Sequence, residues 1–587
     1  MSSDYFIAFF LLFAASALFL WLLGAAAFSR DLGMESVFRA PWLGYALLVG
    51  LLQIGHLFFP VHARFAVIFV SAAVFAAGGA LLLGGATRVM TKKGVAAALA
   101  GTVFLLGVSL LAFIPVFNGC TKSMCHIDLG LYYLKLIRWI QTFPIVPGLV
   151  NVQEQLAFNQ NAFLVTSLFD SLVPNRWGIF LIAGFLAWLG LSLSVFAIFR
   201  LVFLRLQRRE SAQAIEVAYA ISLPVWISTQ ANFSTSSASP DCIISSLSIH
   251  FFLVFACFVV SKDERQRARH LGEILILGAL CLSVKSSSIA LVLGAWAVAL
   301  ALLVIEKRRN FYLVFLQGRV AAMSLLAAVL LATWMGRGIV LSGYPLFPST
   351  ALAMPVAWRM PVKGILEFQG EILRWARDPD PGSDPKKVIK TWRWLPGWCE
   401  RIAAMRTHFA WPAQIGIAGS AVLVSFSFCV SAFRRKSHDL LLLVIPLAVY
   451  STFWFISAPD PRYFGSTMWI FAICPALAFA AEGLRVGLAS SLAILGAAAI
   501  PISLLLWEFR QAWTYAEERL PEFSVVETNP VTNPHGVVLW MNPDGIQTYD
   551  SPLPSSWKPR PFLALLNPDK GIAGGFKYLK VENPAQP

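Results

Sequence analysis

The sequence predicts an all-α polytopic membrane protein with about 14 transmembrane helices and a small β-rich C-terminal domain. Three observations carry that prediction. Only 13% of the 587 residues are charged, against roughly 25% in an ordinary soluble chain. Hydrophobic residues make up 58%, and mean hydropathy is +0.69. The apolar residues fall in continuous runs of about 20, enough for a helix to cross ~30 Å of hydrocarbon, without the alternation of a membrane barrel. Together these exclude a soluble enzyme, a disordered chain and a small disulfide scaffold.

In chain order the runs predict spans at 5–28, 42–59, 65–85, 95–117, 177–204, 212–229, 243–261, 270–284, 287–305, 318–335, 411–433, 440–456, 465–482 and 487–507. The opening stretch lacks the basic flank and cleavage site of a signal peptide and reads as a retained span. The short pair 270–284 and 287–305 also admits a hairpin that does not fully cross. The chain divides into N-terminal helices (1–94), a core (95–335) with a first large loop at 118–176, a second loop (336–410), C-terminal helices (411–507) and a tail (508–587). In the tail, Asn-Pro and Pro-Asp-Gly turns separate short apolar stretches such as Gly536–Met541, the pattern of a small β-rich cap.

The net charge is +15, from 46 Lys and Arg against 31 Asp and Glu. No RNA-binding or helix-turn-helix pattern accompanies it, so nucleic acid is not an expected partner. The basic residues mark loops instead. Arg88, Lys92 and Lys93; Arg205, Arg208 and Arg209; Lys262, Arg265, Arg267 and Arg269; Lys307, Arg308 and Arg309; and Arg434, Arg435 and Lys436 all fall on one side of a fourteen-span chain. The positive-inside rule makes that side the cytoplasm and sends both termini to the other. Of the eight Cys, Cys257, Cys281, Cys429 and Cys474 lie in apolar runs and read as packing residues. Cys120 and Cys125 are close together on the oxidising side, where a disulfide is plausible. A zinc site there would need more ligands than these two and His126.

Candidate chemistry gathers in the outside loops. In 118–176, Leu131, Leu134, Ile137, Trp139 and Ile140 recur at helical spacing, predicting an amphipathic helix in the interface plane with its apolar face toward lipid and ended by Pro144 and Pro147. Asp128 opens it, either as a helix cap or as a general base at the membrane surface. Asp241 follows Pro240 at the start of a span and has the same two readings, cap or site residue. Lys285 stands alone among apolar neighbours at a span boundary, where an ammonium either snorkels or meets an anion such as a phosphate. Ser286, Ser287 and Ser288 beside it would add donors at a helix N-terminus. Asp460 is held between prolines, and Arg462 follows with a fork suited to phosphate, unless the two simply pair. The loop 336–410 opens with SGYPLFPST, including Tyr344, and carries Trp358, Trp375, Trp392, Trp394 and Trp398, either as interfacial anchors or as a platform for a sugar ring. Asp128, Asp241, Lys285, Tyr344, Asp460 and Arg462 span more than 330 positions, yet the topology puts all six at one membrane face. That collection suits a substrate with a lipid tail and a phosphate head.

At these residues the chain resembles a family of bacterial polytopic membrane proteins related to the GT-C superfamily of glycosyltransferases. The matching stretches are DLGLYYLKLIRWIQTFPIVPGLVN with LAFN after it, SASPD, VKSSS, SGYPLFPST, APDPRYFG, and YDSPLP with GGFKYL in the tail. Ala357-Trp358 departs from the acidic residue expected before that Trp, and Tyr549 and Ser555 stand where relatives tend to have Cys. The resemblance implies a GT-C-like fold, with three added spans before the core, and transfer of a sugar from a polyprenyl-phosphate donor on the extracytoplasmic side. It implies that Asp128 is the acidic base or metal ligand of the first large loop. Cofactors stay open, a divalent metal included.

The expectation is therefore an inverting glycosyltransferase of the bacterial inner membrane, with both termini periplasmic and a glycan or lipid as acceptor. Asp128 would deprotonate the acceptor hydroxyl, Lys285 and Arg462 would hold the lipid phosphate, and Asp241 or Asp460 would bind sugar hydroxyls. Three competing readings are a flippase or transporter of lipid-linked glycan, a polysaccharide polymerase or ligase, and a non-catalytic envelope assembly protein. The first of these requires charges inside the spans, and the runs as delimited hold few, all near their ends, with Glu273 close enough to the cytoplasmic end of its helix to snorkel.

Overall fold

A computed structural model of the chain describes residues 3–28, 34–62, 64, 107, 109–114, 116–117, 120, 127–206, 213–232, 237–380, 382–404, 438–465, 467–481 and 526–579. The predicted spans 65–85, 411–433 and 487–507 lie outside the described residues, as do most of 95–117, Cys125 and His126. The other ten predicted spans are all helical. They are α1 (Ser3–Phe28), α2 (Met34–Gly55), α5 (Gly178–Leu206), α6 (Ala214–Asn232), α7 (Pro240–Val260), α8 (Glu264–Val284), α9 (Ile289–Lys307), α10 (Gly318–Ser342), α14 (His438–Ser457) and α16 (Thr467–Ala481). Among the described residues, seven helices are long and apolar enough to cross a membrane: α1, α2, α5, α7, α9, α10 and α14. The chain is thus a mainly helical, multi-pass membrane protein.

Local chemistry sets the helix ends. Ser239 caps α7 by accepting the Asp241 N–H, with Pro240 in the first turn. The Asp263 carboxylate caps α8. α10 runs seven residues past its predicted end, to Ser342, and stops at Gly343, whose φ of +85° only glycine adopts cheaply. α1 and α2 cross through Gly24 and Gly44; a Cβ on either would lie 1.9 Å from a carbonyl oxygen of the other helix. Small residues at such a crossing let two backbones approach within a membrane.

The first large loop folds into a helical layer. A π-helical turn (Leu129–Tyr133) runs into α3 (Leu134–Thr142), and α4 (Ala162–Leu172) packs against it. Here the structure corrects the sequence reading. The apolar face of α3 does not meet lipid: Leu134, Leu136, Ile137, Trp139 and Ile140 are all buried within the protein. Its cover is α4 and the tail, with Phe576 edge-on against Trp139. The second loop carries α11 (Val362–Arg377), α12 (Pro385–Lys390) and α13 (Leu395–Ala404), followed after α14 by the single turn α15 (Pro461–Phe464).

The tail forms two antiparallel hairpins, β1 (Asn529–Thr532) with β2 (Val538–Met541) and β3 (Leu563–Leu565) with β4 (Phe576–Tyr578). This is the β-rich cap expected from its turn residues. It is strapped to the first loop. The Thr548 and Tyr549 N–H groups donate to the Gly130 carbonyl at 2.9 and 3.0 Å, and the Phe576 N–H donates to the Pro147 carbonyl at 2.9 Å. Arg560 makes a two-pronged ion pair with buried Glu154. Gly148 (φ +70°) passes so close to β4 that a Cβ would lie 2.0 Å from the Phe576 carbonyl oxygen.

The structure also revises the polarity of the spans. Arg39 lies in α2, whose predicted start at 42 had left it outside, and donates to Glu273 of α8 at 3.2 Å. His270 flanks that pair at 3.7 Å. His250 of α7 hydrogen-bonds Tyr219 at 2.7 Å and stacks on Trp42.

Candidate functional site: a shared charge cluster at one end of the bundle

Four separate elements place the candidate site. Asp128 stands immediately before the π-helical turn, Asp241 in the first turn of α7, Lys285 at the C-terminal end of α8, and Arg462 in α15. Neither aspartate's side chain caps a helix. The Asp128 side chain makes no capping hydrogen bond, and Ser239 caps α7. Both carboxylates turn to cations instead. Arg462 Nη1 donates to Asp128 Oδ2 at 3.1 Å, and its Nε lies 3.8 Å from Asp241 Oδ2. Lys285 pairs with the other oxygen of Asp241. One guanidinium therefore joins two carboxylates, and an ammonium completes a cluster with formal charge near zero.

An aromatic and hydroxyl frame orients it. The Tyr463 ring lies under both cations, 4.7 Å from Lys285 Nζ and 4.9 Å from the Arg462 guanidinium carbon. Trp375 of α11 lies 5.3 Å from the same guanidinium carbon. The Tyr463 hydroxyl accepts from Arg462 Nη2 at 2.9 Å. Tyr133, five residues after Asp128, lies across the π-helical turn, which brings its hydroxyl 3.5 Å from Asp128 Oδ2 and 3.3 Å from Ser239 Oγ. Ser239 Oγ in turn donates to Asp241 Oδ2 at 3.0 Å.

The electrostatics follow from that packing. Burial, with the charges of Asp128 and Asp241 behind it, holds the Tyr133 hydroxyl well above the usual tyrosine range, so it remains a donor. Burial also pushes Tyr463 up, to about 12, against the pull of Arg462. For Arg462 burial alone favours the neutral form, but Tyr463, Asp241 and Asp128 outweigh it and hold the guanidinium charged. Access differs between members: Asp128 and Arg462 leave 18% and 20% of their side chains exposed, Asp241 only 6%. Asp128 and Arg462 are thus the more exposed members of the cluster.

The remaining predicted residues are placed differently. The Asp460 carboxylate accepts the backbone N–H of Arg462 at 2.9 Å and caps α15. It therefore positions the arginine's backbone, where the sequence reading had offered sugar hydroxyls or the arginine's side chain. Tyr344 is fully buried, and its hydroxyl donates to the Met360 carbonyl at 2.8 Å, so it packs the second loop and makes none of the cluster's described contacts. The Ser288 hydroxyl is spent on the Lys285 carbonyl. Among the described residues no three of His, Cys, Asp and Glu gather as a metal site would require. Tyr133, Ser239 and Tyr463 were not offered as site residues from the sequence, and Trp375 was named only as one of the five tryptophans of the second loop. Tyr463 had a visible signal, an aromatic beside an arginine in a proline-stiffened turn; the alignment of Tyr133 with Asp128 depends on a π-helical turn that no hydrophobic period reveals.

The chain matches the model of the family described as domain of unknown function DUF8201 over residues 5–469, and it belongs to that family. That range contains Asp128, Asp241, Lys285 and Arg462 and stops before the tail. No curated protein and no solved structure matches the chain.

Proposed function

We propose that this protein is a GT-C-type glycosyltransferase of the bacterial inner membrane, transferring a sugar from a polyprenyl-phosphate donor to a glycan or lipid acceptor on the periplasmic side. The observation that carries the reading is the Asp128–Arg462–Asp241–Lys285 cluster, in which accessible Asp128 is held by a cation that a phosphate can claim. In this reading fourteen crossings place both termini in the periplasm and all four groups at the periplasmic face.

The chemistry follows from charge balance. A donor phosphate binding Arg462 and Lys285 supplies the anion that the carboxylates supply at rest, since guanidinium binds phosphate as well as carboxylate. Asp128 is thereby released as a base. The acceptor oxygen bonds to the anomeric carbon while the bond from that carbon to the phosphate oxygen breaks. The electron pair leaves on the phosphate, where Arg462 and Lys285 stabilise it, and the acceptor proton passes to Asp128. Attack opposite the leaving group inverts the anomeric carbon. Tyr133 and Ser239 hold the two aspartates in register, and Trp375 offers an exposed ring face for the sugar.

Transport of a lipid-linked glycan has one observation in its favour, the polar side chains inside α2, α7 and α8. Each makes close polar contacts inside the bundle: Arg39 with Glu273 at 3.2 Å and Tyr219 with His250 at 2.7 Å. The deciding experiment is transfer of label from a radiolabelled polyprenyl-phosphate sugar by the purified protein in nanodiscs, with an envelope extract as acceptor. Asp128→Asn, inserted and monodisperse, is expected to lose about 100-fold or more of the rate. Wild-type rate in that variant sinks the reading, and label that crosses the bilayer still on its carrier turns it to transport.

A further inference from the structure

Asp128 stands between two backbone carbonyls, and the tail takes both. On one side Gln547 Nε2 donates to the Ile127 carbonyl at 3.1 Å. On the other the Thr548 and Tyr549 N–H groups converge on the Gly130 carbonyl, as many donors as its two lone pairs accept. The Gln547 amide is oriented by its neighbour: the Tyr549 hydroxyl donates to Gln547 Oε1 at 3.3 Å, which leaves Nε2 to face Ile127. Asn542 Nδ2 in turn holds the Gln547 carbonyl at 2.8 Å.

The strap is anchored beyond this point as well. Arg138 of α3 donates to the Asp550 and Ser551 carbonyls at 2.7 and 3.1 Å, and Arg176 pairs with the Asp550 carboxylate at 2.5 Å. Tyr549 has a φ of +42°, which a bulky side chain rarely adopts and which persists only where the surroundings over-determine it. Its ring fills the space beside Gly130. A Cβ on Gly130 would lie 2.8 Å from that ring and 3.0 Å from the Gln547 Cβ. The helical backbone of Gly130 does not itself require glycine; the close approach of the strap does.

We infer that residues 547–549 of the tail position Asp128, with Gln547 and Tyr549 as the positioning side chains. They touch neither phosphate nor cation of the cluster and act through the π-helical turn. Gly130 lies in that turn, and the turn carries the Tyr133 hydroxyl back to Asp128 Oδ2. Without the strap the Ile127 and Gly130 carbonyls face water, and the turn can rewind to an α-helix. There residues three and four apart are neighbours and residues five apart are not, so Tyr133 leaves Asp128. Asp128 then loses the orientation in which it meets Arg462. The hold on the turn stands on these contacts alone; its consequence for rate rests on the transferase reading.

The test uses the full chain in nanodiscs and two variants. Gly130→Ala displaces the Tyr549 ring while adding a better helix former, and Gln547→Met removes one donor at similar side-chain length. Hydrogen exchange read by mass spectrometry should quicken about tenfold across 129–134 in both, the ratio that one hydrogen bond supplies, with α5 and α7 unchanged. For transfer from the polyprenyl-phosphate sugar, kcat per folded molecule should fall about 10- to 100-fold with the donor KM held, because a misplaced base slows the chemistry while Arg462 and Lys285 still bind phosphate. A strap that served stability alone would lower the folded fraction and leave that kcat at wild type. Wild-type exchange at 129–134 in both variants overturns the hold, and faster exchange with wild-type kcat overturns the positioning. Absence of transfer by the wild-type chain sinks the transferase reading instead, and the exchange result then decides the strap.

Discussion

The two ends of the helical bundle handle charge in different ways. At the end expected to face the cytoplasm, the ion pairs are separate couples: Arg39 with Glu273, Arg200 with Glu216, Arg267 with Glu306 and Arg269 with Glu35. Each joins neighbouring elements, and His270 flanks the Arg39–Glu273 couple. At the opposite end Asp128, Arg462, Asp241 and Lys285 form one connected group over the Tyr463 ring, and no member can change partner without altering the rest. Isolated couples act as pins. A shared, partly open group with exposed members is suited to exchanging one anion for another. The contrast therefore separates stability from chemistry, and mutations can test whether that separation is real.

The largest effect is expected on stability at the pinned end. Arg39→Met leaves the Glu273 carboxylate buried with only His270 beside it, at a cost of about 3–5 kcal/mol. Thermal unfolding in detergent should show that loss, while transfer per folded molecule stays at wild type. Arg462→Met at the other end should cost less, roughly 2–3 kcal/mol, because 20% of the side chain already meets water. Its mark is instead the loss of transfer together with donor binding. If Arg39→Met removed transfer from folded protein, or Arg462→Met left it whole, the contrast between the ends would fall.

The sequence made one end far more legible than the other. Asp128, Asp241, Lys285 and Arg462 were visible because each is a charge stranded at the edge of an apolar run, and topology alone brought them to one face. Asp460 and Tyr344 carried the same signature but serve local structure, since a turn cap and a buried hydroxyl look identical to site residues until their partners are seen. Arg39 was missed for the reverse reason: the predicted run began at 42, while the helix begins at Met34, so the charge was left outside the span. The lipid-facing reading of α3 failed because its apolar stripe is equally served by a protein cover. The tail supplies that cover from more than 400 residues away, and periodicity carries no information about what will cover a face.

A third test addresses the strap between tail and first loop. Lys135 of α3 is 1% exposed and donates to Gln153 Oε1 at 2.7 Å. Burial, with Arg560 adding to it, lowers its ammonium to about 7, against about 10.4 in an unfolded chain. Below pH 7 both states hold the proton and the folded state bears the full cost of burying it. Between pH 7 and 10.4 the unfolded state alone holds the proton, so stability rises with pH across that window. The gain between pH 7 and 8.5 is up to about 2 kcal/mol. Lys135→Met should flatten that rise in thermal midpoint, and an unchanged slope would show that Lys135 stays charged in the fold.

The smallest effect should distinguish holding the sugar from holding the phosphate. Trp375 is 41% exposed, with its ring 5.3 Å from the Arg462 guanidinium carbon. An exposed cation–π contact contributes about 0.5–1 kcal/mol, so Trp375→Leu should leave the cluster assembled and the fold nearly unchanged. The loss should appear as a rise of about 2- to 5-fold in the KM for the lipid-linked sugar, with kcat held. Inorganic phosphate, tested as a competitor, should inhibit the variant as it inhibits wild type, because Arg462 and Lys285 still bind it. A fall in kcat with KM unchanged would instead make Trp375 a support for Arg462, and the exposed ring would have no part in recognising the sugar.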